Sequence, residues 1–278
     1  MNSALSLAVQ LRLATTRRYF RTAKGVLLLV LALLTAVAAY GAGALLVLPG
    51  LTGAIGTAVV IDLPILRLRK HRWVWPDGAL LTGLFVSMIL SPREPWYVAA
   101  VTAAIAILSK HVLRYRTANI FNPAALALVA TFYLFDTAQS WWGALPELTP
   151  AATMLLLATG SYVTVKVNKI PVVLAFLGGY YLLATTSAFL WRPERVAELF
   201  RAPDHNAALF FAFFMVTDPP TSPPRHRDQL VYGVLVAAAS YAVFELIGAA
   251  YFLLVGLLVA NAWEGWRRAR ARARASIA

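Results

Sequence analysis

Residues 79–95 read ALLTGLFVSMILSPREP, and residues 207–224 read AALFFAFFMVTDPPTSPP. Each is a short apolar run closed by a cluster of prolines. A spanning helix needs roughly 20 apolar residues, and proline ends a helix because it lacks an N–H and crowds the preceding turn. Their openings are alike, Ala79-Leu80-Leu81-Thr82-Gly83-Leu84-Phe85 against Ala208-Leu209-Phe210-Phe211-Ala212-Phe213-Phe214. Two broken hydrophobic segments in matching places are the mark of an inverted repeat with a site near the bilayer midplane. Backbone groups freed where a helix breaks need a partner from protein, water or ligand.

Along the whole chain, ten apolar runs are separated by Pro, Gly or charge. They are Gly25–Leu46, Leu51–Leu66, Ala79–Leu90, Trp96–Leu113, Phe121–Phe135, Ala151–Val165, Pro171–Trp191, Ala207–Val216, Leu230–Ile247 and Tyr251–Trp263. The short ones are the third and the eighth, each the third of five in its half. The expected fold is an all-α membrane protein with ten transmembrane helices in two inverted five-helix repeats. The expected organisation is a basic cytoplasmic segment over 1–24, repeats over 25–136 and 151–263, and a cytoplasmic Arg/Ala tail over 264–278.

Composition agrees with a bilayer. Of the 278 residues, 60% are hydrophobic and 13% charged, where a soluble domain carries roughly 25% charged residues. A disordered chain needs low hydrophobicity as well as net charge. The chain has no cysteine, which removes disulfides, thiolate metal sites and cysteine nucleophiles. The net charge of +13 points in a soluble protein to nucleic acid and in a membrane protein to loops biased to one side.

Position decides between these. If the chain crosses at every run from a cytoplasmic N-terminus, 21 of the 25 Lys and Arg fall on the cytoplasmic side. Only Arg93, Arg192, Arg195 and Arg201 lie outside, and Glu94, Asp136, Glu147, Glu194, Glu198 and Asp204 accompany them. The charge is a topology record. It places both termini in the cytoplasm and the chain in a bacterial inner membrane, and no nucleic-acid partner is expected. Trp96, Trp141, Trp142 and Trp191 fall at outer ends of runs and Trp73, Trp75, Trp263 and Trp266 at inner ends, the pattern of interfacial aromatic belts. The Arg/Ala stretch from Trp266 to Arg274 reads as an anchor for anionic lipid.

Asp62 lies inside the second run and Glu245 inside the ninth. A charge in hydrocarbon faces a cavity or a partner, so these two are candidates for ion or proton coupling, unless each sits at a helix end or pairs locally. Asp77 is placed to cap the short third run, and Asn122-Pro123 opens the fifth with a capping side chain and a helix-starting proline. Asp218 lies at the unfavourable end of a helix dipole and needs Arg225, Arg227 or a ligand. His71, His111, His205 and His226 fall in or beside loops, unlike haem ligands facing one another in a bundle. No metal-ligand spacing, phosphate-binding glycine loop or nucleophile elbow is present.

Three segments together resemble a known family: the stretch from Pro76 to Trp96, Asn119-Ile120-Phe121-Asn122-Pro123-Ala124-Ala125, and Phe213-Phe214-Met215-Val216-Thr217-Asp218-Pro219. They resemble, in order and separation, the family joining the D subunit of the Rnf complex and the B subunit of the sodium-pumping NADH:quinone reductase. The resemblance runs from about Val26 to Arg268. It implies a ten-helix fold related to urea transporters and a membrane electron-transfer subunit that binds flavin. Members attach FMN to a Thr in Ser-Gly-Ala-Thr just before the eighth span. Counting back from Thr217 gives His205-Asn206-Ala207-Ala208, so the acceptor position is Ala208 and covalent flavin is not expected. The chain is similar to the minimal Rnf-D-like proteins found beside enediyne biosynthesis genes.

The leading expectation is therefore an Rnf-D-like electron-transport protein. It would hold a noncovalent flavin, FMN or riboflavin, between its repeats, lined by Thr82, Gly83, Asn122, Pro123, Thr217 and Asp218. It would work with redox partner subunits or as a homo-oligomer. The other expectation is a channel or transporter of urea-transporter type, in which the short helices line a pore and Asp62 or Glu245 couples protons.

Overall fold

The structure is a computed structural model that describes residues 18–115, 118–146, 150–191, 204–248 and 250–275. Residues 1–17, Arg116, Glu147, and the outer charges Arg192, Glu194, Arg195, Glu198 and Arg201 lie outside that description. Each apolar run carries a helix. In chain order these are α1 (Ala23–Ala42), α2 (Ala44–Lys70), α3 (Asp77–Ile89), α4 (Trp96–Val112), α5 (Pro123–Phe135), α6 (Pro150–Lys166), α7 (Ile170–Trp191), α8 (Asp204–Phe210), α9 (His226–Ile247) and α10 (Phe252–Ala275). A π-turn, Phe211–Met215, continues α8. A two-residue hairpin pairs Arg114–Tyr115 with Ala118–Asn119.

Among the described residues, four helices are long and apolar enough to cross a membrane by length and composition: α1, α2, the stretch Ile170–Leu190 of α7, and α9. The first run ends earlier than its hydropathy indicates. Gly43 sits at φ 94°, a conformation open to glycine alone, and it parts α1 from α2. α1 starts on a side-chain cap, with Gly25 N donating to Thr22 Oγ1 at 3.1 Å.

Both short segments are buried on all sides. Thirteen residues of α3 reach only about 20 Å at 1.5 Å per residue, against a hydrocarbon core of about 30 Å. Every residue from Asn206 to Met215 is buried. Buried all round, these helices have no lipid-facing stripe, which explains their lack of periodicity. They meet edge to face through Phe85 and Phe210, ring centroids 6.2 Å apart.

Trp141 and Trp142 depart from the belt pattern. They are 7% and 3% exposed, folded inward on the segment joining α5 to α6. Trp141 packs against Phe210 and Phe211. Trp142 Nε1 donates to Ser87 O at 2.6 Å, and Ser140 N and Trp141 N both donate to Ile89 O at 3.0 and 3.1 Å. This segment thus satisfies the carbonyls left open where α3 breaks, the demand that pulls two tryptophans off the interface. Trp73, Trp75, Trp96 and Trp266 remain exposed as the pattern expects. The side chain of Trp191 lies outside the described residues.

Candidate functional site

The candidate residues fall into three groups. Thr82 and Gly83 are buried on α3. Thr82 Oγ1 donates to Gly78 O at 2.7 Å. A Cβ on Gly83 would lie 2.8 Å from Ile55 Cα, so close α2–α3 packing requires glycine here. Asp77 takes the first helical position rather than the cap. Its Oδ1 accepts from Gly78 N at 2.7 Å and its carboxylate pairs with Lys24 at 3.5 Å.

Asn122 caps α5, its Oδ1 accepting from Ala125 N at 3.1 Å, and Pro123 takes the first helical turn. Asn122 N donates to Asn261 Oδ1 at 2.8 Å, and Asn261 Nδ2 donates to the Tyr232 hydroxyl at 2.5 Å. Asn261 is on α10 and Tyr232 on α9, so a buried polar bridge ties the fifth helix to the last two.

Thr217 and Asp218 end the second short segment. Thr217 Oγ1 donates to Phe213 O at 2.6 Å. Asp218 Oδ2 accepts from Thr221 Oγ1 at 3.0 Å, and Asp218 O accepts from Ser222 N and Ser222 Oγ at 3.0 and 2.8 Å. Among the described residues Asp218 makes no ion pair with Arg225 or Arg227, because the loop folds back on its own hydroxyls. The basic groups acting on it include Lys169 and Arg268. Burial pushes its carboxyl up to about 6, against the opposing pull of Thr221 and these cations.

Residues not singled out in the sequence hold this loop. Lys169 Nζ donates to Ser222 O and Pro223 O at 3.4 and 2.6 Å. Arg268 donates to Pro220 O and Ser222 O at 2.8 and 3.0 Å, and Gln229 to Pro224 O at 3.2 Å. Lys169 is 4% exposed, and burial brings its ammonium down to about 8. Glu264, 1% exposed, accepts from Arg267 and Arg268 at 2.7 Å each, and Arg267 reaches Asp228 at 2.7 Å. Asn261, Glu264 and Arg268 lie on one stripe of α10, which joins the Asn122 group to the Asp218 loop. The spacing of Glu264 to Arg267 and Arg268 was legible as a local ion-pair signal.

The remaining two candidates do not meet. Asp62, 1% exposed, pairs with Lys110 and His111 of α4. Glu245 is exposed two residues from the end of α9, where it accepts from Ser187 Oγ at 3.2 Å.

The fit to a flavin differs between the two ends of the site. At the α8 end Ala208 is fully buried and has no hydroxyl. Asn206 beside it is committed to Leu145 O at 3.0 Å and Thr153 Oγ1 at 3.1 Å. The rings of Phe85 and Trp141 pack against Phe210 between the short helices. No phosphoester to a flavin can form at Ala208. At the Asp218 end a cavity of about 360 Å³ adjoins the loop, bounded in part by Pro219, Pro224, Ala271, Arg225, Arg267 and Arg268. The carboxylates of Asp228 and Glu264 also line it, and they pair with Arg267 and Arg268.

A family model described as the NQR2, RnfD, RnfE family matches residues 14–160 and 148–264. The D subunit of an ion-translocating oxidoreductase complex from Aliivibrio salmonicida is 24% identical, covering 75% of this chain and 80% of the relative. Its counterpart from Pseudomonas aeruginosa is 27% identical over 76% and 78%. The D component of a proton-translocating ferredoxin:NAD(+) oxidoreductase complex from Clostridium ljungdahlii is 27% identical over 71% and 73%.

Proposed function

The chain belongs to the NQR2, RnfD, RnfE family, and on that premise we propose that it is a membrane subunit of an electron-transport complex, working with redox partner subunits. What carries this reading is the family match, which takes in both short helices and both proline-closed loops. Apolar helices of spanning length make it a membrane protein. The proposal includes ten crossings in two inverted five-helix repeats over 25–136 and 151–263, both termini in the cytoplasm, and an inner-membrane location.

The proposal also includes a flavin held without a covalent bond, at the inner end beside Thr217 and Asp218. Arg225, Arg267 and Arg268 would hold its phosphate, and Pro219, Pro224 and Ala271 its apolar part. Flavins supply transfer of one or two electrons. Glu264 and Asp228 orient Arg267, and Glu264 orients Arg268, so two of the three guanidinium groups are pre-set. The channel or transporter reading is the less favoured one, since the relatives are oxidoreductase subunits.

The test is a binding titration on the full chain in detergent, following quenching of flavin fluorescence. Arg225→Gln removes a charged donor without touching the Glu264 network. A charge-assisted hydrogen bond is worth about 1.5–3 kcal/mol, so FMN affinity should fall roughly ten- to a hundredfold while riboflavin affinity stays unchanged. Equal loss for both ligands, or no FMN binding by the parent chain, overturns the placement.

A further inference from the structure

Asp62, Lys110 and His111 form a buried ionisable cluster where α2 packs on α4. Asp62 Oδ1 lies 2.9 Å from Lys110 Nζ and 2.7 Å from His111 Nε2. The three side chains are 2%, 13% and 8% exposed. Lys110 reaches the foot of the first short helix, where a Cβ on Gly78 would lie 3.6 Å from its Nζ.

The hydrogen bonding fixes the tautomer of His111. Asp62 is paired with an ammonium and therefore accepts, so His111 Nε2 carries the hydrogen and donates. That leaves the Nδ1 lone pair bare. Among the described residues, His111 Nδ1 is buried and has no hydrogen-bond partner, an uncompensated basic atom. Other charged groups among the described residues also act on the cluster. Arg69 of α2 donates to His111 O at 3.4 Å. Asp77 of α3 and Lys24 of α1, an ion pair at 3.5 Å, act on Lys110 from the inner side. α5, also packed on α4, carries no charged residue.

We propose that His111 Nδ1 is a proton-binding site on the inner side of the protein, with Asp62 as its fixed counter-charge and Lys110 as the group that keeps Asp62 ionised. At rest the cluster is Asp⁻, Lys⁺ and neutral His, net zero. A proton from water on the inner side binds Nδ1 to give an imidazolium and a net charge of +1, and its release restores the resting state. Buried ionisable groups in membrane segments mark such exchange sites, and the Asp62 carboxylate offsets the charge that the proton adds. The site does not depend on a flavin.

The experiment follows imidazole nitrogen resonances in the full chain, labelled with ¹⁵N-histidine and held in lipid nanodiscs, across about pH 5 to 8. Replacing each of His71, His111, His205 and His226 in turn assigns the signals. The expected result is a neutral His111 with hydrogen on Nε2 that gains a proton at Nδ1 as pH falls. Asp62→Asn should lower its proton affinity roughly tenfold, and Lys110→Gln should raise it by a similar factor. Should Asp62→Asn fail to fold, Lys110→Gln alone carries the test. Hydrogen on Nδ1, no titration in this window, or an affinity unmoved by either folded variant overturns the proposal.

Discussion

Asn122 and Asn261, 139 residues apart, are joined by a 2.8 Å hydrogen bond from the Asn122 backbone N–H to the Asn261 side chain. The bond spans the two halves of the chain, and Tyr232 extends it to a third helix. Asn261→Ala would leave a buried N–H and a buried phenol without partners. Interhelical hydrogen bonds in membranes average about 0.6 kcal/mol. Two orphaned groups should cost more, about 1–2 kcal/mol, read as a lowered thermal midpoint in detergent.

Trp142 links the segment between α5 and α6 to the broken end of α3. Trp142→Phe keeps an aromatic ring but removes the donor to Ser87 O, and should cost about 1 kcal/mol. Trp142→Ala also opens a cavity and should cost about 3–5 kcal/mol. Hydrogen exchange at Ser140 and Trp141, whose amides bond Ile89 O, should accelerate in both variants and more in the second.

Asp218 gives a pH signature. Burial raises its folded pKa to about 6, above the value of 3.8 for an unperturbed carboxyl. Between these values the folded chain holds a proton that the unfolded chain has lost. The contribution to stability is therefore present at low pH and falls as pH rises from about 4 to about 6. Asp218→Asn removes this dependence. It should be more stable than the parent at neutral pH and equal to it near pH 4, by thermal denaturation at matched salt.

Lys169 should behave in a related way at high pH. Its folded pKa of about 8 lies below the ordinary 10.5, so the unfolded chain binds more protons between them and stability rises with pH across that window. Lys169→Met should abolish that rise. It also frees the carbonyls of Ser222 and Pro223, which should show as faster proteolysis of the loop between α8 and α9.

Gly83→Ala tests the packing of α3 on α2. The neighbour is backbone, Ile55 Cα at 2.8 Å, and cannot turn aside. Overpacking of this kind costs about 1–3 kcal/mol, measured as loss of folded protein on heating.

The helices were legible because hydropathy, proline and capping residues act over a few neighbours. The two short segments, the Asn122 cap and the proline-closed loop after Asp218 all follow from such local signals. Trp141 and Trp142 were not legible as buried: a tryptophan at the end of an apolar run reads the same whether it anchors at an interface or folds back on a broken helix. The partners of the Asp218 loop were hidden by separation, since Lys169 and Arg268 reach it across 53 and 48 residues. Asp218 itself posed the right question, and its answer was a hydroxyl three residues away rather than an arginine. Glu245 sits inside a hydrophobic run by sequence, but the helix ends two residues later and leaves it exposed.

A flavin held without a covalent bond is tested most directly by purifying the full chain with FMN, denaturing it, and measuring flavin in the released fraction alongside the intact polypeptide mass. The native chain should carry flavin, all of it should leave on denaturation, and the mass should equal that of the bare sequence. A chain that takes up no flavin, or a polypeptide that keeps flavin mass after denaturation, would overturn the proposal.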